Sequence, residues 1–174
     1  MPFGNIQNYE GSGVIDRIEL GQNLWIKAYN NQAAAATYTN GDVVVLSGLS
    51  ANSGEAANTK YPTIVVPATS ATPVTVRVGV VDNTVAGLAT IGALSWGWVQ
   101  IRGYCNAVTK TTTANPIAID DYVKAMNGVK TAATDGTSGS TAFSQKSFGV
   151  AKSVVATGVA GTFTCYLFGD PVTI

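Results

Sequence analysis

The chain is expected to be all-β: a compact small β-barrel or β-sandwich with an extended N-terminal arm and long polar loops. Three observations carry this reading. Runs of β-branched residues, such as Val43-Val44-Val45-Leu46 and the stretch 74–81, lie between turn dipeptides such as Asn40-Gly41 and Asn127-Gly128. Residues 95–105, S-W-G-W-V-Q-I-R-G-Y-C, alternate with a period of two, Trp98, Gln100, Arg102 and Tyr104 against Val99, Ile101, Gly103 and Cys105. The four alanines at 33–36 favour a helix, but the segment 30–39 around them is short and runs into Thr37 and Thr39.

Taken in order, residues 1–13 read as the extended arm. Glycine and asparagine punctuate it, and Phe3, Ile6 and Tyr9 give it apolar anchors for a neighbouring subunit. Residues 14–174 read as a single β domain. Strands are expected at 14–20, 24–29, 43–46, 61–66 and 74–81, with a polar, glycine-punctuated loop at 48–60. Asp82-Asn83 turns the chain toward 84–86, and the aromatic strand beginning at 95 extends toward 108. The stretch 117–126 is open between a helix, suited by Ile117, Ile119 and Tyr122, and a turn at Asp120-Asp121 entering a strand. Asn127-Gly128 is a hairpin dipeptide leading into 129–133. A polar tip at 135–141, strands at 148–155 and 162–168, and a short terminal run at 172–174 complete the chain.

Two stretches echo each other, 41–103 and 120–169. Gly41-Asp42-Val43 answers Asp120-Asp121-Tyr122, Gly79-Val80-Val81 answers Gly149-Val150-Ala151, and the aromatic strand ending at Gly103 answers the one ending at Gly169. The domain is therefore expected to consist of two related β units that differ in loop length.

Composition points toward assembly. Only 11% of residues are charged while 46% are hydrophobic, and ten basic residues balance ten acidic ones to a net charge of zero. Such a chain folds, yet its surface is Thr, Ser, Asn, Ala and Gly, which lose little solvation when buried against protein. The basic residues are scattered rather than clustered, so nucleic acid is not an expected partner. No apolar run is long enough to span a bilayer as a helix, so no membrane partner is expected either. Met1-Pro2-Phe3-Gly4 has neither the basic nor the apolar region of a signal peptide, and synthesis in a cytoplasm is expected.

No catalytic constellation is visible. The chain has no histidine, which removes the commonest general base near neutrality and the relay of a Ser-His-acid triad. Asp42, Asp82 and Asp170 sit at turns, where an aspartate caps its own backbone. Asp120 and Asp121 are adjacent and would point to opposite faces of a strand. Asp135-Gly136-Thr137-Ser138-Gly139 has too few acids to specify a calcium loop. Cys105 and Cys165 lack a Cys-x-x-Cys spacing and read as thiols buried in a sheet. No cofactor, metal or enzymatic activity is expected.

Taken together, Gly41-Asp42-Val43-Val44-Val45-Leu46, Gly79-Val80-Val81-Asp82 and Gly97-Trp98-Val99-Gln100-Ile101-Arg102-Gly103 resemble small tailed-bacteriophage virion proteins, in particular capsid decoration (cement) proteins. The resemblance spans roughly residues 41–169, in short motifs, and Asp120-Asp121 departs from the Gly-Asp of the first stretch. It implies a non-enzymatic protein on the outer surface of the virion head. Such a protein binds the major capsid protein as a homo-oligomer, a trimer being favoured, and clamps neighbouring subunits of the expanded shell. With it goes the expectation that Trp98, Gln100, Arg102 and Tyr104, together with Phe3, Ile6 and Tyr9 of the arm, form the interface, since aromatics and arginine dominate interface hot spots. Other readings are a tail-tube, head–tail joining or fibre-base subunit, and a carbohydrate-binding β module using Trp25, Trp96 and Trp98.

Overall fold

The structure is a computed structural model that describes residues 6–8, 15–32, 37–47, 62–68, 74–112, 115–136 and 145–173. Phe3, Tyr9, the alanines at 33–36, the loop at 48–60 and most of the polar tip at 135–141 lie outside the described residues, as does the side chain of Ile6.

Its strands are β1 (Ile6–Asn8), β2 (Ile15–Leu20), β3 (Asn23–Asn30), β4 (Tyr38–Thr39), β5 (Val43–Ser47), β6 (Thr63–Val65) and β7 (Thr75–Val81). A 3-10 turn, Asn83–Ala86, follows. Then come β8 (Thr90–Ile91), β9 (Ser95–Lys110), β10 (Tyr122–Ala125), β11 (Ala132–Thr134), β12 (Ser147–Ala151), β13 (Gly161–Phe168) and β14 (Val172–Thr173). The chain is all-β as expected. Within the expected arm, Ile6–Asn8 is a strand paired antiparallel with β2. The open stretch 117–126 is a turn into a strand: Ile117 bridges Val155 and β10 follows Asp120-Asp121.

The closed barrel is not formed. Among the described residues, twelve strands make one mixed sheet in the order β1-β2-β3-β6-β5-β7-β9-β13-β12-β10-β11, with β14 alongside β7 and a further pairing of β3 with β9. The physical reason lies at the ends of that path: β1 pairs with β2 and β11 with β10, and among the described residues no ladder joins the two edges. β6, with three residues, meets β3 through one parallel pair, Tyr29 with Thr63. The sheet instead turns back on itself and divides its interior into two cores.

The first core gathers Leu24, Ala28, Tyr38, Val44, Leu46, Ile64, Val81, Ile91, Val99 and Ile101. The second joins Val43, Val45, Val78 and Val80 to Cys105, Val108, Val123, Phe148, Phe163, Cys165 and Leu167. Strands β5 and β7 stand between the two. Val44 and Leu46 face one core, Val43 and Val45 the other, which explains why β5 reads as an unbroken apolar run rather than an alternating one. Each such valine, at 0–3% exposure, contributes about 1.5–3 kcal/mol over leaving it in water.

Strand β9 is the spine. Its first half pairs with β3 and β7, its second half with β13. Between them lies Gly103, at φ 92°, where a side chain would strike Asn23. The bend carries the second half of β9 from the first core to the second, and Cys105 and Val108 are buried in the latter.

The same pairing occurs twice along the chain, in matching register apart from irregularities at Val123/Lys124 and between Phe163 and Cys165. Val43 and Val44 oppose Val80 and Gly79 as Tyr122 and Val123 oppose Val150 and Gly149. Leu46 meets Ile64 as Ala125 meets Ala132. Val80 and Val81 meet Gln100 and Val99 as Val150 and Ala151 meet Tyr166 and Cys165. Trp25 and Ile26 meet Gln100 and Val99 as Tyr104 and Cys105 meet Tyr166 and Cys165. Thus β3, β5, β6, β7 and the first half of β9 correspond to the second half of β9, β10, β11, β12 and β13.

The turns agree as well. Asp42 accepts from the Thr39 amide at 2.9 Å, and Asp121 from the Ala118 amide at 2.8 Å. Just before them Gly41 and Asp120 both have positive φ, 98° and 67°. The Trp98 amide donates to Asn83 Oδ1 and the Thr164 amide to Ser153 Oγ. Asn30, buried, donates to the Gly92 carbonyl; the buried Lys110 donates to the carbonyls of Ala156, Val159 and Thr111.

Candidate interaction surface

The four β9 residues singled out from the sequence do not form one continuous patch. Gln100 is 1% exposed, and its amide nitrogen donates to the carbonyls of Arg102 at 3.2 Å and Tyr104 at 3.0 Å. It braces the backbone around the Gly103 bend. The amide fits a buried site because it satisfies two carbonyls that the bend turns inward, groups that are costly to leave without a donor.

Arg102 is tied across the sheet, one guanidinium nitrogen lying 2.6 Å from Glu19, which also holds Arg17 at 3.1 Å. Its side chain is 39% exposed, so this is a surface pair worth little stability on its own. It does fix the guanidinium against β2. Trp98 is half-buried, opposite Lys27 of β3. Tyr104 is 49% exposed, its amide held by Asn23 Oδ1 at 2.7 Å.

Beyond the bend, Tyr104 belongs to a row that crosses four strands. It opposes Tyr166, which opposes Val150, which opposes Tyr122. Tyr122 and Phe168 are 6.0 Å apart between ring centres, and with Tyr166 they line an open groove of about 630 Å³ that also includes Ser147, Asp170 and Pro171. Tyr122 and Tyr166 were not singled out from the sequence. A signal was present: Tyr104-Cys105 in one strand and Cys165-Tyr166 in the other are mirror-image dipeptides, as an antiparallel pair requires.

The other tryptophans are engaged internally. Trp25 is 6% exposed and donates from Nε1 to Asp82 Oδ2 at 2.9 Å. Trp96 packs on Tyr29 with ring centres 4.4 Å apart, and the Lys27 ammonium lies 5.8 Å from its ring. Of the three rings considered for sugar stacking, Trp25 is therefore committed to the fold.

The aspartates act as braces. Asp82 also accepts from the Thr84 amide and hydroxyl, capping the 3-10 turn. Asp120 pairs with Lys152 at 2.6 Å, and Asp135 accepts from the Ser147 hydroxyl at 2.6 Å with Lys124 at 3.4 Å. Among the described residues no group of three or more His, Cys, Asp or Glu side chains is placed to hold a metal ion.

Cys105 and Cys165 face each other across β9 and β13, both buried and both free thiols. Burial pushes the Cys105 thiol up to about 12, with the Asp82 charge adding to the effect. Burial, and then Cys105 itself, pushes Cys165 well above the ordinary thiol range. Neither is a thiolate near neutrality, so neither is a ready nucleophile.

The chain matches no known family model, no curated protein and no solved structure.

Proposed function

We propose that this protein is a structural subunit of a tailed-phage virion: a capsid decoration protein that binds the outer surface of the head. There it clamps neighbouring major capsid protein subunits and stabilises the expanded shell. The observation that supports this reading most is that its three motifs form one hydrogen-bonded constellation. Val43 and Val44 pair with Val80 and Gly79, and Val80 and Val81 pair with Gln100 and Val99. The motifs are thus a framework for a β unit rather than parts of a reaction centre, and the second occurrence of the pairing is read as a copy of that unit. The buried Gln100 has a bracing role in this frame, while Trp98, Arg102 and Tyr104 are the three of the four β9 candidates that reach the surface.

Clamping suits a neutral chain with low charge. Each contact with the shell is desolvated at little cost, and an oligomer, with a trimer favoured, links several modest contacts into one avid attachment. The test is co-sedimentation of purified protein with expanded, undecorated heads, alongside its mass in solution. Saturable binding by a species near three times 17.9 kDa is the expected result. Trp98→Ala is expected to remain folded and to lose head binding. Ring or tube formation with no affinity for heads would move the assignment to a tail-tube subunit, and specific retention on a glycan array would favour the carbohydrate module.

A further inference from the structure

The duplicated pairing allows one face to be compared with its counterpart. In the first set of strands, the outward row is Trp25, Gln100, Val80 and Val43. All four are buried, at 6%, 1%, 0% and 0% exposure, and the two valines lie in the same core as Val108, Phe148 and Leu167 of the second set. This chain therefore already covers such a row with its own β structure. In the second set, the corresponding row is Tyr104, Tyr166, Val150 and Tyr122, and it reaches the surface, Tyr104 being 49% exposed.

We infer that the Tyr104–Tyr166–Val150–Tyr122 row is the face on which a second copy of this chain docks. The substitutions between the rows run in that direction. Tyrosine stands where the buried row has Trp25, Gln100 and Val43. A phenol tolerates water before assembly and supplies a large, stiff apolar surface after it, which is why tyrosine is enriched in interfaces. The row itself carries no charge; beside it Arg102 is paired with Glu19 and Lys124 with Asp135, and Asp170 stands on the rim of the adjoining groove. With a net charge of zero the copies do not repel one another, a condition that favours self-association.

A self-docking face of this kind rests on the oligomer of the decoration reading, yet the two fail separately. The experiment is sedimentation equilibrium of the full chain over a concentration series, comparing wild type with Tyr104→Glu and Tyr166→Glu. Val159→Glu serves as a control on an exposed loop position outside the row. Wild type and the control are expected to associate equally, and each tyrosine variant to weaken association by roughly tenfold or more, as for a central aromatic contact. Should a glutamate variant unfold, hydroxyl-radical footprinting of wild type replaces it: Tyr104 and Tyr166 are expected to become protected as concentration rises. A wild-type chain that stays monomeric, or tyrosine variants that associate as wild type does, overturns the inference. If the free chain is monomeric and the tyrosines are protected only on heads, the occupant is the capsid, which refutes self-docking and leaves decoration standing. A self-associating chain with no affinity for heads does the reverse.

Discussion

Gly97 offers the sharpest test of how the first core is packed. A methyl group on its Cα would lie within collision distance of Cγ1 and Cδ1 of Ile91, and 3.1 Å from Cβ of the same residue. Ile91 is 1% exposed and pinned by its pairing with Tyr38, so it has little room to yield. Gly97→Ala is therefore an overpacking change, expected to cost about 1–3 kcal/mol. Ile91→Ala removes the two atoms that would be struck, at a cost of about 2–5 kcal/mol by itself. In the double variant the new methyl enters the space just vacated. Its cost should equal that of Ile91→Ala alone or fall slightly below, giving a favourable coupling of about 1–3 kcal/mol. The second core already shows this exchange of volume, with Phe163 in the position of Gly97 and the smaller Val155 in that of Ile91. The assay is urea unfolding of the wild type and three variants, followed by tryptophan fluorescence. Additivity of the two single changes to within about 0.5 kcal/mol would refute the assignment of the clash to this pair.

Two further predictions concern the second core and its rim. Between the ordinary thiol value of about 8.5 and the value of about 12 reached by Cys105, unfolded thiols ionise while folded ones do not, so stability falls as pH rises, by about 1.4 kcal/mol per pH unit for each such thiol. Cys105→Ala/Cys165→Ala should flatten that fall from about pH 9 to 10, below the range in which the buried Tyr38 phenol adds its own contribution, as measured by urea midpoints across pH. In the native protein both thiols should resist iodoacetamide, and in denaturant both should react, as read by mass. Lys110→Met keeps much of the buried stem but withdraws the ammonium from the carbonyls of Thr111, Ala156 and Val159, and is expected to cost about 2–3 kcal/mol in thermal or urea unfolding.

The all-β class and most strand positions were legible in the sequence because turn chemistry and β-branched runs act locally. Asn40-Gly41 and Asp82-Asn83 mark real changes of direction, and the valine run at 43–45 is a strand. What was not legible depends on distant partners. The two-residue strands β4 and β8 exist through each other, Tyr38 with Ile91 and Thr39 with Thr90, and leave no local pattern. Residues 129–133 were placed a little early, because the turn after Asn127-Gly128 runs on and β11 starts at Ala132. That the edges β1 and β11 stay unjoined depends on which strands meet across the sheet, which periodicity does not report. Alternation placed Gln100 on an outward face, and geometrically it is there; only the bend at Gly103 and the second core covering that face make it buried. Tyr104 escaped this fate because it lies beyond the bend.

The sharing of β9 between the two sets sets a rule for how many sets the chain can hold. Extending the series by a third would require β13 to do what β9 does: pass through a left-handed glycine and continue as the first strand of the next set. The glycine is present, since Gly169 has φ 84° at the position corresponding to Gly103. Two residues later, where β9 has Cys105 and its ladder to β13, β13 meets Pro171, which has no amide hydrogen to give. The chain leaves that path and pairs Val172 and Thr173 with Val76 and Thr75 instead. Asp170-Pro171 thus acts as a stop signal for strand propagation. Replacing the proline would be the first step in turning a two-member architecture into an open-ended one.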